Sequence, residues 1–264
     1  MNGFTLEHLP GTRTGPTIVL MSGMFAGDWM WDDQFRAFAE DGRPVARVVE
    51  AIAMRPEVSG TIPKVRAALE EACDAAGIQD MIVCGASMGA AVAMDMAVAV
   101  PERVRALVLT GTPGLSPDPN LGIKNDHPQG RTMFTADYGE RLVSSLFHGG
   151  RAALTDEQYE KTKNIFECRE GILGVSRGIK AMRRYDMRAA LRQVRCPVLN
   201  LWGAHDLTTP VESWAEVAET HSNHRLVVIE DSGHVPMVER PERYTEIMRD
   251  FAAEFDLAYG PAAS

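Results

Sequence analysis

Short apolar runs rich in β-branched residues recur along the chain, at 17–21, 46–49, 81–84, 105–109, 197–201 and 225–229. Each run is hydrophobic almost throughout rather than at alternate positions. That pattern suits strands buried on both faces, and the helical stretches between the runs supply the crossovers that parallel strands need. The chain therefore reads as α/β, a mostly parallel β-sheet flanked by helices. Residues 3–8 are read as an added antiparallel edge strand.

The alternation breaks between Leu109 and Pro197, where no strand pattern is found. The segment opens with a loop, Gly111 to Gly130, that carries Pro113, Pro117, Pro119 and Pro128. Helical patterns follow around 132–147, 155–168 and 169–183. The segment reads as a helical cap inserted after the sixth strand. This divides the chain into a core of 1–112 and 195–264 and a cap of 113–194.

Chemistry enters at three strand ends. Gly85-Ala86-Ser87-Met88-Gly89 directly follows the run at 81–84 and opens the apolar stretch Ala90 to Val100. A serine hydroxyl is a weak nucleophile, so it needs exposure at a sharp strand-to-helix turn within reach of a base. Crowding at such a turn demands small neighbours, which Gly85 and Gly89 supply. Taken alone, the same five residues also suit a serine that merely caps a helix.

The run at 197–201 leads to Asp206, and the run at 225–229 leads to His234. Loops at the carboxyl ends of parallel strands share one sheet edge, where ligands collect. Ser87, Asp206 and His234 are therefore expected to converge there as nucleophile, orienting acid and general base. Asp118 and Asp126 are alternative acids, and Asp231 is read as ordering the histidine loop. His205, His221 and His224 read as solvated surface residues. The loop after 17–21, Ser22-Gly23-Met24-Phe25-Ala26-Gly27, offers the Met24 amide as an oxyanion donor beside that of Met88.

Composition narrows the classes. At 264 residues, 45% hydrophobic and 24% charged, the chain suits one large α/β domain with an insertion. A net charge of −9 argues against a nucleic-acid partner. The basic stretch Arg183, Arg184, Arg188, Arg192 and Arg195 reads as the wet face of a helix. Four singly placed cysteines (Cys73, Cys84, Cys168, Cys196), with no metal-ligand spacing, suit free thiols in a reducing cytoplasm. Neither a signal segment nor a run of about 18 apolar residues is found, so a cytoplasmic protein without a membrane partner is expected. No metal and no cofactor are expected.

Beyond the Ser87 turn, Ser22-Gly23-Met24-Phe25, Trp31-Asp32-Asp33-Gln34, the approach from Asp186 through Cys196-Pro197 to Trp202-Gly203, and the ending Gly233-His234-Val235-Pro236 resemble the α/β-hydrolase superfamily. Within it the chain is similar to capped esterases, C–C hydrolases and cofactor-free perhydrolases. The resemblance implies the order Ser…Asp…His found here. Two departures stand out. Ser22 replaces the histidine usual at the oxyanion turn, and Glu50 to Gly60 lacks the usual glycine pair, which implies a remodelled pocket wall.

The reading is a serine hydrolase that cleaves a carboxylic ester, thioester or lactone of a small hydrophobic substrate through an acyl-enzyme. The alternatives are C–C hydrolysis, perhydrolysis, acyl transfer or a lyase reaction on the same triad, and a non-catalytic ligand-binding protein. Phe25, Met133, Phe134, Phe147 and Met182 are candidate pocket residues, as adaptable apolar side chains on the predicted loops and cap. Trp29 and Trp31 are read as packing. Epoxide hydrolysis and dehalogenation by their usual route would want an aspartate at position 87.

Overall fold

The computed structural model describes residues 3–115, 141 and 145–256. Its seven strands are β1 (Leu6–Leu9), β2 (Thr17–Met21), β3 (Val45–Val48), β4 (Met81–Ala86), β5 (Val104–Thr110), β6 (Val198–Gly203) and β7 (His224–Ile229). They form one sheet in the order β1-β3-β2-β4-β5-β6-β7. β1 pairs antiparallel with β3, and every other pairing is parallel. Every residue of β2, β4 and β6 is buried, as continuous apolar runs require. β1, at the edge, alternates between half-buried and exposed positions. The edge strand expected at 3–8 thus lies at 6–9.

The strand order places the site. From β2 the chain moves outward to β3, then crosses back to lay β4 on the other side of β2. Loops leaving β2 and β4 therefore part in opposite directions, which opens a crevice at their carboxyl ends. The two loops are those holding Met24 and Ser87.

Nine helices are assigned among the described residues, apart from short 3-10 turns. Before β6 these are α1 (Asp32–Glu40), α2 (Ile62–Ala75), α3 (Met88–Ala99), α4 (Asp156–Glu167), α5 (Arg169–Arg184) and α6 (Met187–Leu191); α7 (Glu212–Thr220), α8 (Pro236–Glu239) and α9 (Pro241–Ala253) come after it. α3 is buried on nearly all sides, which explains an apolar sequence without amphipathic periodicity. α4 starts at a reciprocal capping box between Thr155 and Gln158. Buried Gln34 on α1 donates to the Met237 carbonyl on α8 at 3.2 Å and to Thr245 on α9 at 3.1 Å, tying the carboxyl-terminal helices to the amino-terminal ones.

α4, α5 and α6 occupy the interval where a cap is expected. They follow the fifth strand rather than a sixth: one edge strand and four core strands precede them. The pattern expected at 132–147 falls mostly outside the described residues. α5 packs closely on the 3-10 turn Ile52–Met54: a Cβ at Gly174 would stand 2.6 Å from the Ala53 carbonyl carbon. Just beyond α5, the Tyr185 hydroxyl donates to Asp95 of α3 at 3.0 Å. All four cysteines are free thiols. Among the described residues no helix is long and apolar enough to cross a membrane.

Candidate active site

β4 ends at Ala86 and α3 begins at Met88, so Ser87 alone makes the turn. Its backbone takes φ +53° and ψ −120°, a conformation that costs a non-glycine residue about 1–3 kcal/mol. The Ser87 amide donates to the Thr110 carbonyl at 2.8 Å, which fixes the turn to the end of β5. The flanking glycines are a packing necessity. A Cβ at Gly85 would lie 2.6 Å from the Gly89 carbonyl carbon, and one at Gly89 would lie 2.5 Å from the Met21 and Ser22 carbonyl oxygens.

Two amides beside this turn have no acceptor among the described residues. As the first residue of α3, Met88 has no intrahelical acceptor for its N–H. Among the described residues the Met24 N–H likewise has no acceptor. The Met24 loop abuts the serine, since a Cβ at Gly23 would lie 3.3 Å from Ser87 Cβ. Ser22 spans this loop: its hydroxyl donates to the Gly27 carbonyl at 2.6 Å. The Met24 carbonyl in turn accepts from the Ala53 amide at 3.1 Å. The loop that lacks its usual glycines therefore buttresses the Met24 turn. Among the described residues none of 50–60 lines the cavity directly; the loop reaches it through Met24.

His234 and Asp206 are both buried, with His234 Nδ1 2.8 Å from Asp206 Oδ2. The network assigns the Nδ1 proton to that bond and leaves Nε2 as the acceptor. The Asp206 carboxylate is saturated with donors. Oδ1 accepts from the amides of Thr208 at 2.8 Å and Thr209 at 2.9 Å, and Oδ2 accepts from the Thr209 hydroxyl at 2.8 Å. Burial by itself would raise this carboxyl's pKa. The facing His234 and the Thr209 hydrogen bonds outweigh burial and hold it below the ordinary carboxylate value. The imidazole lies flat against Gly111 (φ +58°), where a Cβ would stand 2.7 Å from Nδ1.

Ser87 and His234 line one cavity of about 100 Å³, bordered by loops, α4 and α5. Of the expected pocket residues, Phe25, Phe147 and Met182 line it. Met133 and Phe134 lie outside the described residues, as do Asp118 and Asp126. Trp29 also lines the cavity, although its sequence reading is packing; Trp31 is fully buried against Tyr244. Leu146, Thr162 and Val235 are lining residues with no mark in the sequence. Thr209 does have one, because an aspartate followed two and three residues on by threonines is an Asx-turn pattern. His205 is exposed as read, whereas His224 is 4% exposed and not solvated.

The model of the α/β hydrolase fold family matches residues 16–241. The chain is 25% identical over 261 residues to the pimeloyl-[acyl-carrier protein] methyl ester esterase of Nitrosomonas europaea, covering 90% of this chain and 96% of that one. It is 28% identical over 198 residues to a 2-hydroxy-6-oxononadienedioate/2-hydroxy-6-oxononatrienedioate hydrolase of Pseudomonas putida, covering 70% and 66%. Among solved structures, the enol-lactonase from Burkholderia xenovorans LB400 superposes with a TM-score of 0.76 at 22% identity, covering 93% of this chain and 95% of that one.

Proposed function

The chain is a hydrolase belonging to the α/β hydrolase fold family, and from that premise we propose that it cleaves a carboxylic ester through an acyl-enzyme on Ser87. The observation that carries this reading is the shared cavity. It is lined by a serine held at positive φ at a helix start and by a histidine whose other nitrogen is engaged by a buried carboxylate.

Ser87 Oγ attacks the carbonyl carbon while His234 Nε2 takes its proton, and Asp206 stabilises the imidazolium. Charge on the carbonyl oxygen meets the Met24 and Met88 amides, each worth about 3 kcal/mol of transition-state stabilisation. Collapse of the tetrahedral intermediate breaks the C–O bond to the leaving group, which takes the proton from His234. Water then attacks the acyl-enzyme, gives a proton to His234, and releases the acid and free Ser87.

The substrate reading rests on the cavity's lining, which is apolar apart from Ser87, His234 and three threonines. Its size suits a short, uncharged acyl group. Among the described lining residues no lysine or arginine is present to neutralise a second carboxylate. That favours an ester over the dioate named for the Pseudomonas relative. Thioesters and lactones follow the same route.

A fluorophosphonate probe and p-nitrophenyl esters of graded chain length test the proposal together. Wild type is expected to label, and to turn over acetate and butyrate esters faster than octanoate. Ser87→Ala should abolish both, and His234→Ala should lose at least about 10⁴-fold in kcat, since the triad acts as a unit. Absence of labelling in folded wild type, or cleavage of a β-diketone without ester hydrolysis, would overturn the ester reading.

A further inference from the structure

Three side chains with metal-ligating atoms meet on the surface next to the site: His148, His205 and Asp231. Their candidate ligand atoms all lie within 4.8 Å of one another, and all three residues are exposed. The His148 and His205 rings stack with centroids 4.0 Å apart and 13° between planes. No spacing in the sequence marks the group, because each residue comes from a different loop.

The loops that carry them are joined by backbone hydrogen bonds. The His205 amide donates to the Ser232 carbonyl at 2.9 Å, and the His234 amide to the Leu146 carbonyl at 2.8 Å. The Glu239 carboxylate gathers the amides of His148 at 2.6 Å, Gly149 at 3.2 Å and Gly233 at 2.7 Å. Asp231, at φ +51°, makes one ion pair among the described residues, with Arg240 Nη2 at 4.0 Å, an exposed contact of little strength.

We propose that His148, His205 and Asp231 bind one divalent transition cation of the zinc type. Two imidazole nitrogens and a carboxylate oxygen are a zinc donor set, with the fourth position left to water, whereas calcium and magnesium select sites built from oxygen. Ligand atoms on one tetrahedral zinc stand about 3.3 Å apart, so closure requires only rotation of exposed side chains on loops already fixed. His205 adjoins Asp206, Asp231 precedes His234 by three residues, and the His148 segment holds the His234 amide. A bound ion would staple the loops carrying acid and base, stabilising the native arrangement without entering the reaction.

The test uses the untagged full chain with ZnCl2, by competition against a chromophoric chelator and by thermal unfolding. One zinc per chain and a rise in Tm of about 3–6 °C at saturating zinc are expected, with no rise in CaCl2. His148→Ala and His205→Ala should each weaken zinc binding at least ten-fold and abolish the rise, with fluorophosphonate labelling retained as proof of folding. His234→Ala should still bind. The proposal is overturned if wild type binds no zinc below millimolar concentration, if both surface-histidine variants bind unchanged, or if His234→Ala alone loses the ion.

Discussion

Asp206 shows how a single residue's neighbours set its chemistry. An isolated buried carboxylate would take up a proton; three donors from Thr208 and Thr209, together with His234, keep this one charged. The two backbone amides survive any substitution at 209 except proline, so the hydroxyl's share can be measured separately. Thr209→Val is expected to lower kcat/KM about ten-fold, the size of one hydrogen bond to a charged group. Thr209→Ser, which keeps the donor, should restore most of it. Steady-state kinetics on a p-nitrophenyl ester checks both, and equal losses in the two variants would assign Thr209 to packing alone.

At the scale of elements, α5 is held by contacts that depend on the absence of side-chain bulk. Gly174 lets the helix touch the Ala53 backbone, and Ala53 in turn holds the Met24 carbonyl. Gly178 faces the side chains of Met24 and Met88, where a Cβ would come within 3.0 Å of Met24 Sδ. A methyl group at 174 would have to push apart two backbones, and overpacking of that kind costs about 1–3 kcal/mol. Gly174→Ala is therefore expected to lower Tm by several degrees. It should also lower kcat more than an equally destabilising change remote from Met24, as read by calorimetry and kinetics in parallel.

Across the whole molecule, the strand order β3-β2-β4 opens the crevice, and the edge near β7 carries a separate acid-sensitive feature. His224 is buried beside Asn200 and Trp214, with His221 edge-on at 5.7 Å, and its Nε2 has no hydrogen-bond partner among the described residues. Burial first, and then the neighbouring His221, push its pKa down from 6.5 to about 4. The unfolded chain therefore binds this proton more readily than the native one. Stability should be steady above pH 6.5 and fall as pH drops from 6.5 through 4. Asp206 also lowers stability in acid, but its loss begins only as pH falls through the ordinary carboxylate range and continues below it, so the upper part of the decline belongs to His224. In a Tm series from pH 7.5 to 4, His224→Phe should flatten the upper part of this decline. An unchanged slope would move the effect to other groups.

The sheet, the strained turn at Ser87 and the placement of Asp206 and His234 at strand ends were legible in the sequence because each depends on local rules. Continuous apolar runs of strand length specify buried parallel strands, and Gly85 and Gly89 leave room for a strained turn at Ser87. Asp206 and His234 follow strands whose carboxyl ends must share an edge. Only the tertiary structure decided what meets across the chain. It brought Trp29 to the cavity and turned the 50–60 loop into a support for Met24. It buried His224 where a polar stretch suggests solvent, and stacked His148 on His205. Those outcomes depend on which loops pack together, and residue spacing along one chain carries no record of that.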